Sequence, residues 1–247
     1  MGKQYRPRLS DEEWELVQRH RGVRVNSSKS QVVGVVGDLH APFIREGYIK
    51  FCYDTFQRQG VTHVVFAGDI IDNHVWSRHL SEADAHGGLD EFELAKKCVT
   101  DIRDLFSCWE CTWIVGNHDA IPMRQVNSIG LPSMLIKSLQ ELYEVDWEVC
   151  PSRVIDNVKY VHGIGCANIL LTAQRMRCSV VAGHFHSRAC IQSHANHDDL
   201  IFGMQVGAGV EDKAYAMRYA KESLHKSVIS CATVYGGRDP QLHFMPL

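Results

Sequence analysis

The stretch Gln31-Val32-Val33-Gly34-Val35-Val36-Gly37-Asp38-Leu39-His40 contains the pattern that decides the fold. Its apolar, mostly β-branched first part predicts a buried strand over 31–36, and Gly37-Asp38 ends that strand. Further apolar strands are predicted at 61–67, 112–115, 158–161 and 180–182, with helices at 49–59 and 92–106. Fully apolar strands that alternate with helices are typical of an α/β fold whose sheet is buried on both faces.

Each of these strands ends at polar residues that stand beside a glycine. In chain order the five pieces are Gly37-Asp38-Leu39-His40, Gly68-Asp69-Ile70-Ile71-Asp72, Gly116-Asn117-His118-Asp119, Val161-His162-Gly163 and Gly183-His184-Phe185-His186. They supply carboxylates, imidazoles and one amide, which are the oxygen and nitrogen ligands that divalent metals require. Because open α/β sheets bind ligands beyond the carboxyl ends of their strands, the sequence predicts a metal site there.

Composition narrows the class of protein. The 247 residues, 45% apolar and 22% charged, suit one sizeable globular domain, and a formal net charge of -3 gives no strong field for nucleic acid or an anionic membrane. The start of the chain lacks the apolar region of a secretory signal, and no apolar run is long enough to span a bilayer. The nine scattered cysteines are typical of reduced thiols. We therefore expect a cytoplasmic protein without a membrane partner, and the oligomeric state stays open.

The chain divides into two predicted parts. Residues 1–30 are predicted to form an N-terminal arm, in which Ser10 and Glu13 make a capping box at the start of a short amphipathic helix. Residues 31–247 are predicted to form the catalytic domain. Towards its end the pattern weakens, and it favours a helix at 212–224 and a strand at 228–235.

The five pieces follow the order D-x-H, G-D-x-x-D, G-N-H-D/E, H, G-H-x-H, which resembles the calcineurin-like metallophosphoesterase family. The resemblance runs from about Val32 to the last of the pieces. It implies a four-layer α/β/β/α sandwich with two divalent metal ions, which hydrolyses phosphate esters by attack of a metal-bridging hydroxide. Manganese is the first expectation for the metal, with iron, zinc and nickel as alternatives.

The same resemblance implies a division of the ligands between two ions. Asp69 would be the carboxylate that bridges them. The shell of one ion would be completed by Asp38, His40 and His186, and that of the other by Asn117, His162 and His184.

Local expectations accompany this ligand set. The glycines that precede the ligands are expected to let the backbone turn sharply after each strand. His184 and His186, two residues apart, are expected to lie on the same side of an extended segment.

Two further residues carry catalytic roles by resemblance. His118 occupies the position of the family's general acid, which protonates the leaving group. Asp72 matches the carboxylate that hydrogen-bonds and orients this histidine, as in other His–carboxylate pairs. Asp119 is an alternative orienting residue.

The substrate is indicated by a departure from the family's protein phosphatases, which have Arg-Gly where this chain has Asn73-His74. That arginine clamps a terminal phosphate, so its loss favours a phosphodiester in a nucleotide or nucleic acid. Arg78 could compensate, and the residues predicted to bind substrate are Asn117, Arg78 and His74. The alternatives are a phosphomonoesterase acting on protein or small molecules, and an inactive scaffold with this fold.

Several neighbouring residues stay ambiguous from sequence alone. Trp76 could stack on a base or pack within its loop. The segments 81–90 and 120–139 are predicted to form a cap over the substrate. Within the second segment, Met123, Arg124, Gln125 and Asn127 could contact substrate or lie in a solvated loop.

Overall fold

The computed structural model describes residues 31–76, 87–197, 199–211 and 226–246. Within them lie two β-sheets, one of six strands and one of five. The strands are β1 (Val32–Val36), β2 (His63–Phe66), β3 (Glu110–Ile114), β4 (Glu148–Cys150), β5 (Ser152–Ile155), β6 (Val158–Val161), β7 (Ser179–Ala182), β8 (Ala189–Ala195), β9 (Leu200–Val206), β10 (Ser230–Tyr235) and β11 (Asp239–Phe244).

The first sheet has the strand order β11-β10-β1-β2-β3-β4 and the second the order β5-β6-β7-β9-β8. Strands β1 to β4 run parallel, and β10 and β11 extend that sheet by antiparallel pairing. In the second sheet β6, β7 and β9 are parallel, while β5 and β8 pair antiparallel at the edges. All five motif-bearing strands therefore belong to the parallel parts of the two sheets.

Helices cover the outer faces of the sheets. They are α1 (Tyr48–Gln59), α2 (Gly88–Leu105), α3 (Ile121–Ser128), α4 (Leu139–Tyr143) and α5 (Ile169–Met176). Helix α1 lies between two residues in the left-handed conformation, Gly47 and Gly60. Helix α4 begins with a capping box of Ser138 and Glu141, and the Asn168 side chain caps α5 by accepting from Leu171 N at 2.9 Å.

Alternation along the strands assigns each side chain to a layer. In β2, Val64 and Phe66 pack with the helices, while Val65 faces the second sheet. Val181 and Met204 of the second sheet meet it there. The result is the α/β/β/α sandwich that the sequence predicts.

The strands and helices predicted from apolar runs are present with shifts of a few residues. Those that the sequence analysis did not identify are β4, β5, β8, β9, β11, α3, α4 and α5. The predicted arm at 1–30 and the predicted helix at 212–224 lie outside the described residues. No helix in the described ranges is both long and apolar enough to cross a bilayer. The nine cysteines all fall within those ranges and carry free thiols.

Candidate metal centre

The five motif loops all leave the carboxyl ends of parallel strands. Those of the first sheet follow β1, β2 and β3, and those of the second follow β6 and β7. Hydrogen bonds between loops hold them together: Leu39 N and His40 N both donate to Asp69 O, at 3.0 and 2.9 Å. Across the sheets, His184 N donates to Asp38 Oδ1 at 3.0 Å. The sandwich thus gathers residues that are far apart in sequence.

Three of the proposed ligands have an uncommon backbone conformation. His40, Asp69 and His184 have positive φ values of 51°, 49° and 70°. This conformation is uncommon for residues with a side chain and is often found at functional sites. His184 therefore lies in a turn, and the expectation of an extended segment through His184 and His186 is wrong.

The glycines of the motifs serve two different purposes. Gly68 has a φ of +98°, so it turns the chain as expected. Gly116 and Gly183 are needed because other groups approach closely. A Cβ added at Gly116 would lie 2.1 Å from Asp69 Oδ1, and one at Gly183 would lie 2.3 Å from Asp38 Oδ1.

One cluster, here called the first half-site, consists of Asp38, His40 and His186. Asp38 Oδ2 and His40 Nε2 lie 3.0 and 3.2 Å from His186 Nε2. Asp38 and His40 are almost completely buried. Burial lowers the pKa of His186, but the hydrogen bond to Asp38 and the charges of Asp38 and Asp69 outweigh it and raise the pKa.

The second half-site consists of Asn117, His162 and His184. Around His162 Nε2 lie Asn117 Oδ1 at 2.9 Å, Asp69 Oδ2 at 3.0 Å and His184 Nδ1 at 3.2 Å. Burial lowers the pKa of His162, yet the hydrogen bond to Asp69 and the charges of Asp38 and Asp69 raise it to about 9. The pKa of His184 is lowered, by burial and then by the charge of His162.

Asp69 lies between the half-sites. Its Oδ2 is 3.0 Å from His162 Nε2 and 3.9 Å from His40 Nε2. Ligand atoms within 4.8 Å of one another form three groups: Asp38, His40 and His186; His40, Asp69 and His118; and Asp69, His162 and His184. The pKa of Asp69 is lowered, because the hydrogen bond and charge of His162 and the charges of His40 and His118 outweigh its burial.

The chemistry of these donor atoms fits cations. His162 Nδ1 lies 3.0 Å from Ala67 O, and donation to that carbonyl leaves a lone pair on Nε2. That lone pair faces the oxygens of Asn117 and Asp69, which are also acceptors. Acceptor atoms at such distances repel one another unless a proton or a metal ion lies among them. The residues present can therefore hold metal ions.

The Asp72 carboxylate lies between two histidine rings. Its Oδ1 lies 2.6 Å from His40 Nδ1 and 3.4 Å from His118 Nδ1, so it pairs with His118 and more closely with His40. The backbone carbonyl of Asp72 also accepts from His118 Nδ1 at 2.7 Å. Asp72 thus contacts His118 through both its carboxylate and its backbone. The contact with His40 was not predicted from the sequence.

The protonation of His118 follows from the same neighbours. Burial lowers its pKa, but the hydrogen bond to Asp72 and the charges of Asp69 and Asp72 raise the pKa to about 9. Its backbone N–H donates to Asp69 Oδ1 at 2.7 Å. The side chain is 21% exposed, so the ring can reach the solvent-filled side of the centre.

Asp119 has a structural role that the sequence analysis missed. Its carboxylate accepts hydrogen bonds from the backbone N–H groups of Asp69, Ile71 and Gly116 and from Trp113 Nε1, at 2.8–3.0 Å. It therefore joins the loops after β2 and β3, and the suggestion that it orients His118 is not supported by these contacts. Burial, followed by the charge of Asp69, raises the pKa of Asp119 to about 6.

The structure describes some of the predicted substrate-binding residues and not others. Asn117 lies in the second half-site. Arg78 lies outside the described residues, and of His74 the structure describes only the backbone, at the start of a 3-10 turn (His74–Trp76). Asn73 is buried and donates through Nδ2 to His118 O at 2.9 Å. Its amide therefore supports the His118 loop.

The described parts of the predicted cap border a cavity of about 730 Å³. Its walls come from the 3-10 turn, the start of α2, the start of α3 and residues 136–143. Trp76 stands at its edge with 52% of its surface exposed. On α3, Arg124 is exposed and donates from Nη2 to Asn117 O at 2.6 Å.

Comparison with known proteins gives one family. A family model described as calcineurin-like phosphoesterase matches residues 32–184, more than half of the chain. No curated protein sequence matches the chain.

Similar solved structures include three proteins of low sequence identity. A novel archaeal phosphodiesterase has a TM-score of 0.44 at 14% identity, covering 87% of this chain and 99% of its own. A single mutant of Vps29 from Entamoeba histolytica has a TM-score of 0.40 at 11% identity, with coverages of 87% and 99%. Nuclease MPE from Pseudomonas putida has a TM-score of 0.35 at 14% identity, with coverages of 86% and 87%.

Proposed function

The chain belongs to the calcineurin-like phosphoesterase family, and from that premise we propose that it hydrolyses phosphodiesters of nucleotides or nucleic acid. Membership makes it a phosphoric ester hydrolase, an enzyme that cleaves phosphate esters. The proposal adds the substrate class, the ligand set and the individual roles of the residues.

Two divalent cations, manganese first, are proposed to be held by the half-sites with Asp69 between them. The first half-site offers one carboxylate and two imidazoles, and the second offers one amide and two imidazoles. Such mixed oxygen and nitrogen ligands suit manganese, iron, zinc or nickel. When bound, the cations would neutralise phosphate oxygens and lower the pKa of the attacking water.

His118 is proposed as the general acid. Its Nδ1 is held by Asp72 O, so its Nε2 is the atom that would carry the proton to the leaving oxygen. In the absence of metal ions the hydrogen bond to Asp72 and the charges of Asp69 and Asp72 outweigh burial and raise the pKa of the ring to about 9, which favours the protonated form that a general acid requires. Asp72 is proposed to position this ring through its carboxylate and its backbone carbonyl, and the same carboxylate also positions His40.

The proposal of a phosphodiester substrate rests on the environment of Asn73. It stands where the family's protein phosphatases have a phosphate-clamping arginine, and it is 8% exposed. Its amide donates to His118 O, so it offers neither charge nor a free fork of donors to a dianionic phosphate. A diester carries one charge fewer and depends less on such a clamp.

The test compares two aryl esters on the manganese-loaded protein. We expect a higher kcat/KM for a bis-aryl phosphodiester than for the matching aryl phosphomonoester. Asp69→Asn, prepared in parallel, controls for contaminating phosphatases, because it should lose both metal ions and with them its activity, whereas a contaminant would keep its full rate.

Other outcomes favour the other candidates. A strong preference for the monoester, or rapid dephosphorylation of a phosphoserine peptide, would favour a phosphomonoesterase. Retention of two metal ions without turnover of any ester would favour the inactive scaffold.

A further inference from the structure

Three arginines accompany the loops of the metal centre, and their partners differ. Arg45 forms an ion pair with Glu211 at 2.9 Å. Arg124 and Arg188 are exposed, and neither forms an ion pair with a residue that the structure describes. Their charges are therefore not paired within the described part of the chain.

Both guanidinium groups are anchored on the ligand-bearing loops by one donor each. Arg124 Nη2 donates to Asn117 O at 2.6 Å, on the loop after β3. Arg188 Nη1 donates to Ala167 O at 2.6 Å, on the loop that begins at His162, and its Cζ lies 5.3 Å from the ring centroid of Phe185. A guanidinium has five N–H donors in a rigid fork. Each group therefore keeps donors for a phosphate.

The two arginines follow loops of different sheets. Arg124 lies in α3, after the loop that follows β3 of the first sheet, and Arg188 lies after β7 of the second sheet. The two sets of loops meet where Asn117 Oδ1 lies 2.9 Å from His162 Nε2. Each sheet thus contributes one exposed arginine that is hydrogen-bonded to a loop of the metal centre.

An exposed aromatic ring lies in the 3-10 turn that contacts α3. Trp76 has 52% of its surface exposed, and its backbone carbonyl accepts from Gln125 Nε2 at 3.1 Å. Gln125 follows Arg124 on α3, so this hydrogen bond joins the backbone of Trp76 to the turn of helix that carries Arg124. Cationic groups along the backbone with aromatic rings for the bases are the usual means of binding single strands.

We propose that the substrate is single-stranded nucleic acid cleaved at an internal phosphodiester, an inference that rests on the proposed function. Arg124 and Arg188 contact the phosphates on either side of the scissile one, and Trp76 stacks on a base. An unpaired strand is favoured over a duplex because stacking on Trp76 requires a base with an open face. A net charge of -3 also gives the protein no strong overall field to attract a duplex.

Binding is measured first, by fluorescence anisotropy of a labelled twelve-nucleotide single strand on the manganese-loaded protein in a His118→Asn background, in which turnover is suppressed. Arg124→Gln and Arg188→Gln should each weaken binding about tenfold and lower the salt slope by about 0.7, the contribution of one single-strand phosphate contact. Trp76→Ala should weaken binding about fivefold or more. The matched control is Arg175→Gln, an exposed arginine at the far end of α5, which should leave affinity and salt slope unchanged.

Hydrolysis by the manganese-loaded protein provides the second measurement. The two arginine variants should lose about tenfold more kcat/KM on the oligonucleotide than on the bis-aryl diester, which has no flanking phosphate. Arg124→Lys and Arg188→Lys should restore part of that loss, since the charge returns.

The proposal is overturned if both arginine variants bind the strand as tightly as Arg175→Gln does. It is equally overturned if they slow both substrates to the same extent, if the duplex binds better than the single strand, or if a phosphopeptide is the preferred substrate. Failure to hydrolyse the bis-aryl diester would count against the proposed function. The binding measurement would still decide this inference, because it requires no turnover.

Discussion

The two half-sites differ in the negative charge of their ligands and of the groups behind them. The first contains the carboxylate of Asp38, and the ring of His40 is backed by a second carboxylate, Asp72, at 2.6 Å. The second contains the neutral amide of Asn117, and the ring of His162 is backed only by the carbonyl of Ala67 at 3.0 Å. More negative charge binds a divalent cation more tightly, and a carboxylate behind an imidazole makes it a better ligand. We therefore expect the first half-site to load before the second.

Asp69 limits this difference, because it lies between the two half-sites. The largest expected effect is that of Asp69→Asn, which halves the negative charge available to the pair and should empty both sites. Elemental analysis after dialysis should find less than one equivalent of metal. Asp101→Asn, the same change on the exposed face of α2, is the control. Two full equivalents in Asp69→Asn would mean that Asp69 does not bridge.

His118 lies at the border of the first half-site, because one of its ring nitrogens lies within 4.8 Å of the ligand atoms of His40 and Asp69. If His118 is the general acid, His118→Asn should slow the hydrolysis of esters with alkoxide leaving groups about a hundred- to ten-thousandfold. Nitrophenyl esters should lose less, since their leaving group needs little protonation. Metal content, measured in parallel, should not change. Loss of metal, or equal losses for both kinds of ester, would make His118 a ligand instead.

Asp72→Asn should have a smaller effect, which is limited to the metal affinity of the first half-site. Because the carboxylate lies behind His40, its loss should weaken the first ion about ten- to a hundredfold and leave the second unchanged. Manganese titration followed by competition with a chelator measures both affinities. Equal weakening of both ions would remove the proposed asymmetry. Unchanged affinities with a slower rate would return Asp72 to the sole role of orienting His118.

The sequence predicted the gathering of the ligands because of a simple geometric rule. Residues that follow parallel strands meet at one edge of their sheet, so apolar runs that end in Asp, Asn or His predicted a site at such an edge. The resemblance to the family implied the rest, namely that the edges of two sheets meet and which residues share an ion. The same reasoning could not predict which atom of Asp72 meets which ring, because its side chain and carbonyl lie in one loop beside two histidines. Nor could it predict the role of Asp119, whose four donors come from two different loops and from β3.

Parts of the fold were missed for a related reason. Strand β8 is an edge strand whose mixed sequence is only half buried. Strand β5 is also an edge strand, and the residues in its middle are exposed. Such strands lack the continuous apolar run of a central strand, so their hydrophobic pattern is weak. The short helix α4 depends on its capping box more than on its length.

Anomalous diffraction from crystals grown with manganese tests the central claim, a pair of ions joined by Asp69, most directly. The account predicts two anomalous peaks about 3.5–4 Å apart, with Asp69 between them, Asp38, His40 and His186 around one, and Asn117, His162 and His184 around the other. At limiting manganese the peak in the first half-site should be the stronger. A single peak, or two peaks that share no ligand, would contradict the account.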